Sequence, residues 1–187
     1  FENLADVADA FHGSSAVQNN YKGIKIVPHQ PDIFYEQNVP YCGGFSIAAV
    51  LSAYEIQGHQ SIGSYMSNIG RLIGGMSPKG LIRTLRTNGI EGEIHRGIWM
   101  ADSERIRILR QEIDQERPVL LLIGNGHEKC GIFSNIRSQG ISHLHWITIW
   151  GYHDDGFFIY DSVAHPYQYE RIPAGNIERS SNDLLRD

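Results

Sequence analysis

At Pro118 the hydrophobic period of this chain changes, and that change limits the folds open to it. Before it, apolar residues recur at three- and four-residue spacing, the period of a helix. Phe45, Ala48, Ala49, Ser52, Ala53 and Ile56 follow that spacing, with Gly58 as a C-terminal stop. A second helix is expected over 61–73. A third starts at Ser77-Pro78, an N-cap followed by a first-turn proline, and stops near Asn88-Gly89. A fourth is capped by Asp102 or Ser103, aligns Ile106, Leu109 and Ile113, and runs to about Arg117. After Pro118 the apolar runs are short: 119–123, 144–150, 157–160 and 167–172 read as strands. Residues 24–27 and 90–95 are further strand candidates. Helices first and antiparallel strands after is the α+β pattern. The 187 residues suit one domain, 1–187, with 1–23 as a peripheral arm and 180–187 as a polar, mobile tail.

Several function classes are disfavoured at once. No apolar run approaches the roughly 18 residues of a membrane span. The net charge is -5, and the basic residues are scattered rather than gathered into the stripe that nucleic acid or an anionic membrane selects. Two cysteines, Cys42 and Cys130, are too few for a disulfide framework, and neither stands in a CxxC or Cys/His metal spacing. No metal or organic cofactor is expected. The chain starts at Phe1 rather than at a methionine, which suits a processed product.

Cys42 falls where a proline-rich approach (Pro28, Pro31, Pro40) meets the first turn of the first helix. Unpaired N–H groups and the helix dipole favour an anion there, so a thiol at that point is biased toward the nucleophilic thiolate. Gly43 and Gly44 are expected to leave room for a substrate beside it. The competing reading is a buried structural cysteine, which is common, or a disulfide to Cys130.

A cysteine nucleophile needs a base and a group to orient that base. Both lie in the segment from His145 to Asp161, where Gly151 and Asp155-Gly156 mark a hairpin turn between two apolar runs. Centred on His153, that hairpin places His145 and Asp161 eight residues to either side, directly opposed and on one face. Of the other histidines, His143 shares the strand face of His145, His127 lies in the long loop 124–140, and His153 and His165 read as surface turn residues.

These segments resemble the papain-like cysteine peptidases, particularly the C39-like and phytochelatin-synthase-like branches. Tyr41-Cys42-Gly43-Gly44-Phe45-Ser46-Ile47-Ala48-Ala49-Val50-Leu51 looks like their nucleophile helix. Pro118-Val119-Leu120-Leu121-Leu122-Ile123 resembles their first core strand. His145-Trp146-Ile147-Thr148-Ile149-Trp150-Gly151-Tyr152 and Phe158-Ile159-Tyr160-Asp161-Ser162 resemble their His and Asp strands, in the family's order, and the likeness covers roughly 30–172. It implies helices carrying the nucleophile packed on a twisted antiparallel sheet carrying His and Asp, with the site in the cleft between. It also implies a glutamine amide in the oxyanion hole. Gln37 stands five residues before Cys42, where many relatives have six; Glu36 fills that position and, when ionised, has no proton to donate.

The expected function is therefore a thiol protease, a hydrolase cleaving amide bonds of a protein or peptide substrate. Cys42 is the nucleophile, His145 the base, Asp161 its orienter and Gln37 the oxyanion donor. A deamidase, transglutaminase or acyltransferase uses the same groups, because fold and triad do not fix the acceptor. The context suits a secreted bacterial effector or toxin domain. A papain-like module that binds peptides without cleaving them is the alternative of another class. The cleft walls are expected from the helices around 62–85 and from the loop 124–140.

Overall fold

The computed structural model describes residues 21–31, 34–56, 61–73, 75–124, 144–164 and 172–186. They form a mixed α+β architecture with one antiparallel sheet. The helical part holds α1 (Cys42–Ala53), α2 (Asn68–Ile73), α3 (Pro78–Thr87) and α4 (Asp102–Asp114). The sheet holds β1 (Lys25–Ile26), β2 (Val119–Ile123), β3 (His145–Tyr152), β4 (Gly156–Tyr160) and β5 (Ile177–Ser180), and a last helix, α5, spans Ser181–Arg186.

α1 is the central helix. Its residues Cys42 to Ile47, and then Ala49, Val50, Leu51 and Ala53, are buried, so it is enclosed on nearly all sides rather than along a single stripe. It ends at Ala53, where Glu55 takes φ 55° and Ile56 N–H closes onto Leu51 O. The proposed stop at Gly58 lies outside the described residues. Its N-terminal glycines are needed for packing. A Cβ on Gly43 would stand 3.0 Å from Met76 Cβ and 3.1 Å from Trp146 Cδ1; one on Gly44 would stand 2.9 Å from Ile62 Cγ2 and 3.1 Å from Ile62 O. The space expected for substrate at these two positions is thus filled by the protein itself.

The remaining helices follow the sequence with adjustments. The span 61–73 divides into a 3-10 turn, Ile62–Tyr65, and α2. α3 has the expected start: Ser77 Oγ accepts the Gly80 N–H at 3.2 Å with Pro78 in the first turn. α4 is capped by Ala101 rather than by a side chain of Asp102 or Ser103, and it stops at Asp114. Leu109 and Ile113 face the core from α4, as Leu81 and Leu85 do from α3. Residues 90–95 form no strand. Their side chains, apart from Ile90 and Gly92, are exposed, so no buried face rewards a ladder there.

β3 is the axis of the sheet. β2 runs along its first half, Ile123 against His145 through Val119 against Ile149. β1 continues the same edge beside Gly151 and Tyr152. β4 pairs on the other edge, and β5 lies outside β4. The fully buried side chains Ile147, Ile149, Trp150, Phe157, Phe158 and Ile159 come from this β3–β4 hairpin. Its turn is closed by His153 N–H to Gly156 O at 3.0 Å, and Trp150 is an extra residue bulged between the Ile149 and Gly151 pairings.

Both termini pack on the sheet where they are described. Tyr21, at the end of the proposed arm, stacks on His153 and Phe158 and donates its hydroxyl to Glu178 at 3.0 Å. The proposed polar tail begins with the end of β5 and continues into α5, whose Leu184 is buried. The expected strand over 167–172 lies outside the described residues except at Ile172. Among the described residues, no helix is long and apolar enough to cross a membrane.

Candidate active site

Cys42 opens α1 with a buried, free thiol. Three groups converge on its sulfur. The backbone N–H of Trp146 donates to Sγ at 3.4 Å, the ring of His145 is hydrogen-bonded to it, and the Gly43 N–H adds a further bond. Burial by itself raises the thiol pKa. The His145 bond and charge, with the two N–H groups, outweigh that, and the net shift is downward.

His145 begins β3. Its Nε2 meets Asp161 Oδ1 at 2.8 Å, which leaves Nδ1 as the nitrogen for Cys42. Burial pulls the imidazole pKa down; the Asp161 bond first, and then the Cys42 sulfur, push it up to about 10. The thiol is lowered and the imidazole raised to about 10, and both shifts favour the shared proton on the ring.

Asp161 is fully buried, one residue beyond β4. Its Oδ1 also accepts the Val163 N–H at 3.0 Å. The register is not the one expected. Thr148 pairs with Tyr160 and Ile149 with Ile159, so continuing the ladder sets Asp161 opposite Ile147 rather than His145. The two side chains meet diagonally. Side-chain parity survives the offset of two residues, which is why both still project from one face. The turn lies later in the chain than a centre at His153: Tyr152 pairs with Phe157, a register that by itself sets Asp161 opposite Thr148, and the Trp150 bulge returns it by one residue to Ile147.

Gln37 is half-buried and anchored to the residue after Asp161. Its backbone N–H donates to Ser162 O at 2.6 Å, and its amide oxygen accepts the Ser162 hydroxyl at 2.7 Å. With Oε1 so held, Nε2 is the end free to act as a donor. Glu36 is exposed.

Beside the thiol, the Trp146 indole N–H donates to Met76 O at 2.8 Å, which ties β3 to the segment between α2 and α3. An open groove lined by Lys79, Ile82, Arg83, Arg86 and Ile94 lies elsewhere and shares no residue with this cluster. His153 is buried, not a surface turn residue; it pairs with Glu178 at 2.9 Å. His127, His143, His165 and Cys130 lie outside the described residues, as does nearly all of the loop 124–140. Among the described residues, no group of three or more His, Cys, Asp or Glu side chains is arranged to hold a metal.

The sequence reading missed the Trp146 N–H, the Ser162 hydroxyl and Asn176, which bonds the Asp161 main chain. A backbone donor carries no side-chain signature. Asn176 follows Gly175, and that Gly-Asn pair was the available sign of a tight turn. No protein-family model matches the chain, and no curated protein matches it in sequence.

Proposed function

We propose that this protein is a papain-like cysteine hydrolase acting on amide bonds of a peptide or protein. The observation that carries the reading is the chain of contacts from Cys42 through His145 to Asp161, with its last link at 2.8 Å. The helix-borne thiol against a sheet-borne His and Asp supports the papain-like assignment. A buried structural cysteine has no need of an imidazole held by a fully buried carboxylate.

In the mechanism, the Cys42 thiolate attacks the substrate carbonyl carbon. A carbon–sulfur bond forms and the carbonyl electron pair moves to oxygen. The oxyanion is stabilised by the Cys42 N–H, which heads α1 without an intrahelical acceptor, and by Gln37 Nε2. As the intermediate collapses, the carbon–nitrogen bond breaks and imidazolium His145 gives its Nδ1 proton to the leaving amine. Neutral His145 then takes a proton from water, whose oxygen attacks the thioester. The carbon–sulfur bond breaks with its electron pair returning to Cys42 Sγ, the acid is released and the thiolate–imidazolium pair returns. Asp161 holds the ring by Nε2 throughout and acts only through it.

The test is incubation of wild type and Cys42→Ala with a peptide library and folded protein substrates, read by mass spectrometry. Wild-type-dependent backbone cleavage supports the hydrolase. Side-chain deamidation or amine incorporation that depends on Cys42 redirects the reading to a deamidase or transglutaminase with the same groups. Identical mass spectra for wild type and Cys42→Ala, together with a thiol no more reactive than free cysteine, overturn it.

A further inference from the structure

The orientation of His145 depends on where Asp161 is held, and Asp161 lies past the end of the β4–β5 ladder. The last paired residues there are Ile159 and Ile177. Asn176 supplies the missing partner from its side chain. Its Oδ1 accepts the Asp161 backbone N–H at 2.7 Å, and its Nδ2 donates to the Asp161 carbonyl at 2.7 Å. One side-chain amide thus reproduces the two-bond exchange that a facing peptide makes in an antiparallel pair.

The clamp is itself fixed. Asn176 is fully buried, its backbone N–H donates to Ile159 O at 2.8 Å, and Nδ2 also approaches Ala164 O at 3.5 Å. Gly175 lets the chain reach this position. Its φ is +71°, and a Cβ there would stand 2.2 Å from Ile159 O. On the far side, the Ala164 N–H donates to the Asp161 carbonyl at 3.0 Å and closes the turn after Asp161. The main chain of Asp161 is therefore bonded at both N–H and C=O, and its carboxylate Oδ1 meets both His145 and the Val163 N–H.

We infer that Asn176 is a positioning residue of the site, holding the Asp161 main chain so that Oδ1 stays on His145 Nε2. The inference rests on the Cys42–His145–Asp161 reading above. A merely structural asparagine would support the loop without affecting the thiol, and the two roles separate on the reactivity of Cys42.

The experiment is the pH profile of iodoacetamide alkylation, followed at the Cys42 peptide by mass spectrometry. The proteins are wild type, Asp161→Asn, Asn176→Ala, Asn176→Ser and the Asp161→Asn/Asn176→Ala double variant, with folding checked by circular dichroism. Asp161→Asn is expected to slow alkylation at pH 6 about tenfold, the effect of one unit of thiol pKa. Asn176→Ala is expected to slow it comparably, and the double variant no further than Asp161→Asn alone. Asn176→Ser, which keeps one hydroxyl for the clamp, is expected to fall between and carries the comparison should Asn176→Ala not fold. A folded Asn176 variant with a lower Tm but the wild-type profile overturns the inference and leaves the triad intact. A wild-type profile in Asp161→Asn overturns the triad reading itself, and the inference with it.

Discussion

The main-chain N–H of Trp146 points at the sulfur of Cys42 across 3.4 Å, joining residues 104 apart in the sequence. The residue after His145 thus donates to the Cys42 sulfur, while its indole is bonded to Met76 O. Strand β3 contributes both the imidazole and an N–H donor to one sulfur. Their spacing is fixed by a single peptide unit, so any shift of β3 against α1 disturbs both interactions together.

The first prediction concerns pH. The thiol is lowered and the imidazole raised to about 10, so on the proposed reading the ion pair extends from below the ordinary thiol range up to about pH 10. Iodoacetamide should label Cys42 at pH 6–7 at rates an ordinary thiol reaches only near its own, higher pKa (about 8.5). Reactivity should fall on the acid side as the thiolate protonates and change again near pH 10 as His145 loses its proton. In His145→Ala the burial effect is left without its main counterweight. Labelling should then require more alkaline pH than for wild type, checked on the Cys42 peptide.

Asp161→Asn removes the charge that holds the imidazolium. The His145 pKa should fall, drawing the alkaline limb of the kcat profile below pH 10. The rate should drop by roughly 10²- to 10⁴-fold, the range lost when general acid–base catalysis fails. Steady-state kinetics over pH 5–10 on a cleaved peptide measures both effects.

Gln37→Ala should lower kcat by about 10²- to 10³-fold, the usual cost of one oxyanion donor, with little change in KM. The Cys42 alkylation profile should stay as in wild type, because Gln37 is bonded to Ser162 and its proposed role is toward the oxyanion, not the thiolate. Ser162→Ala should reproduce a weaker form of the same defect, since it frees the Gln37 amide to rotate.

Gly44→Ala should destabilise the fold by about 1–3 kcal/mol, the range for overpacking a filled site. The added Cβ meets the Ile62 backbone carbonyl, which moves less readily than a side-chain end. Urea unfolding gives the number. Gly89→Ala is the contrasting case: no atom lies within 4 Å of the added Cβ, so only the strain of φ +83° remains.

The fold class was legible because the period change at Pro118 is a property of every apolar residue around it, and the helix starts at Cys42 and Ser77 carry local signals. The juxtaposition of His145 with Asp161 was readable for a similar reason. Their even separation puts both on one face once the Trp150 bulge has offset the odd register of the turn, so an error of two residues in register left the pair in contact. What the sequence hid were quantities set by tertiary packing. The Trp150 bulge has Gly151 beside it, but that glycine reads equally as a mark of the hairpin turn. The roles of Gly43 and Gly44 depend on Ile62, Met76 and Trp146 approaching from distant segments. Residues 90–95 have strand-like residues but no surface to cover. β5 was missed because Glu178, Arg179 and Ser180 give it no apolar alternation.

The sulfur of Cys42 and the strand whose His145 and Trp146 meet it lie about a hundred residues apart in the chain. Until β3 settles against α1, Cys42 is an unremarkable thiol with no imidazole and no donor from Trp146. On the proposed reading, the lowered thiol pKa is therefore acquired when β3 docks on α1 and not during helix formation, since such long-range contacts close late. The appearance of a thiolate near neutral pH would then serve as a clock for the completion of folding.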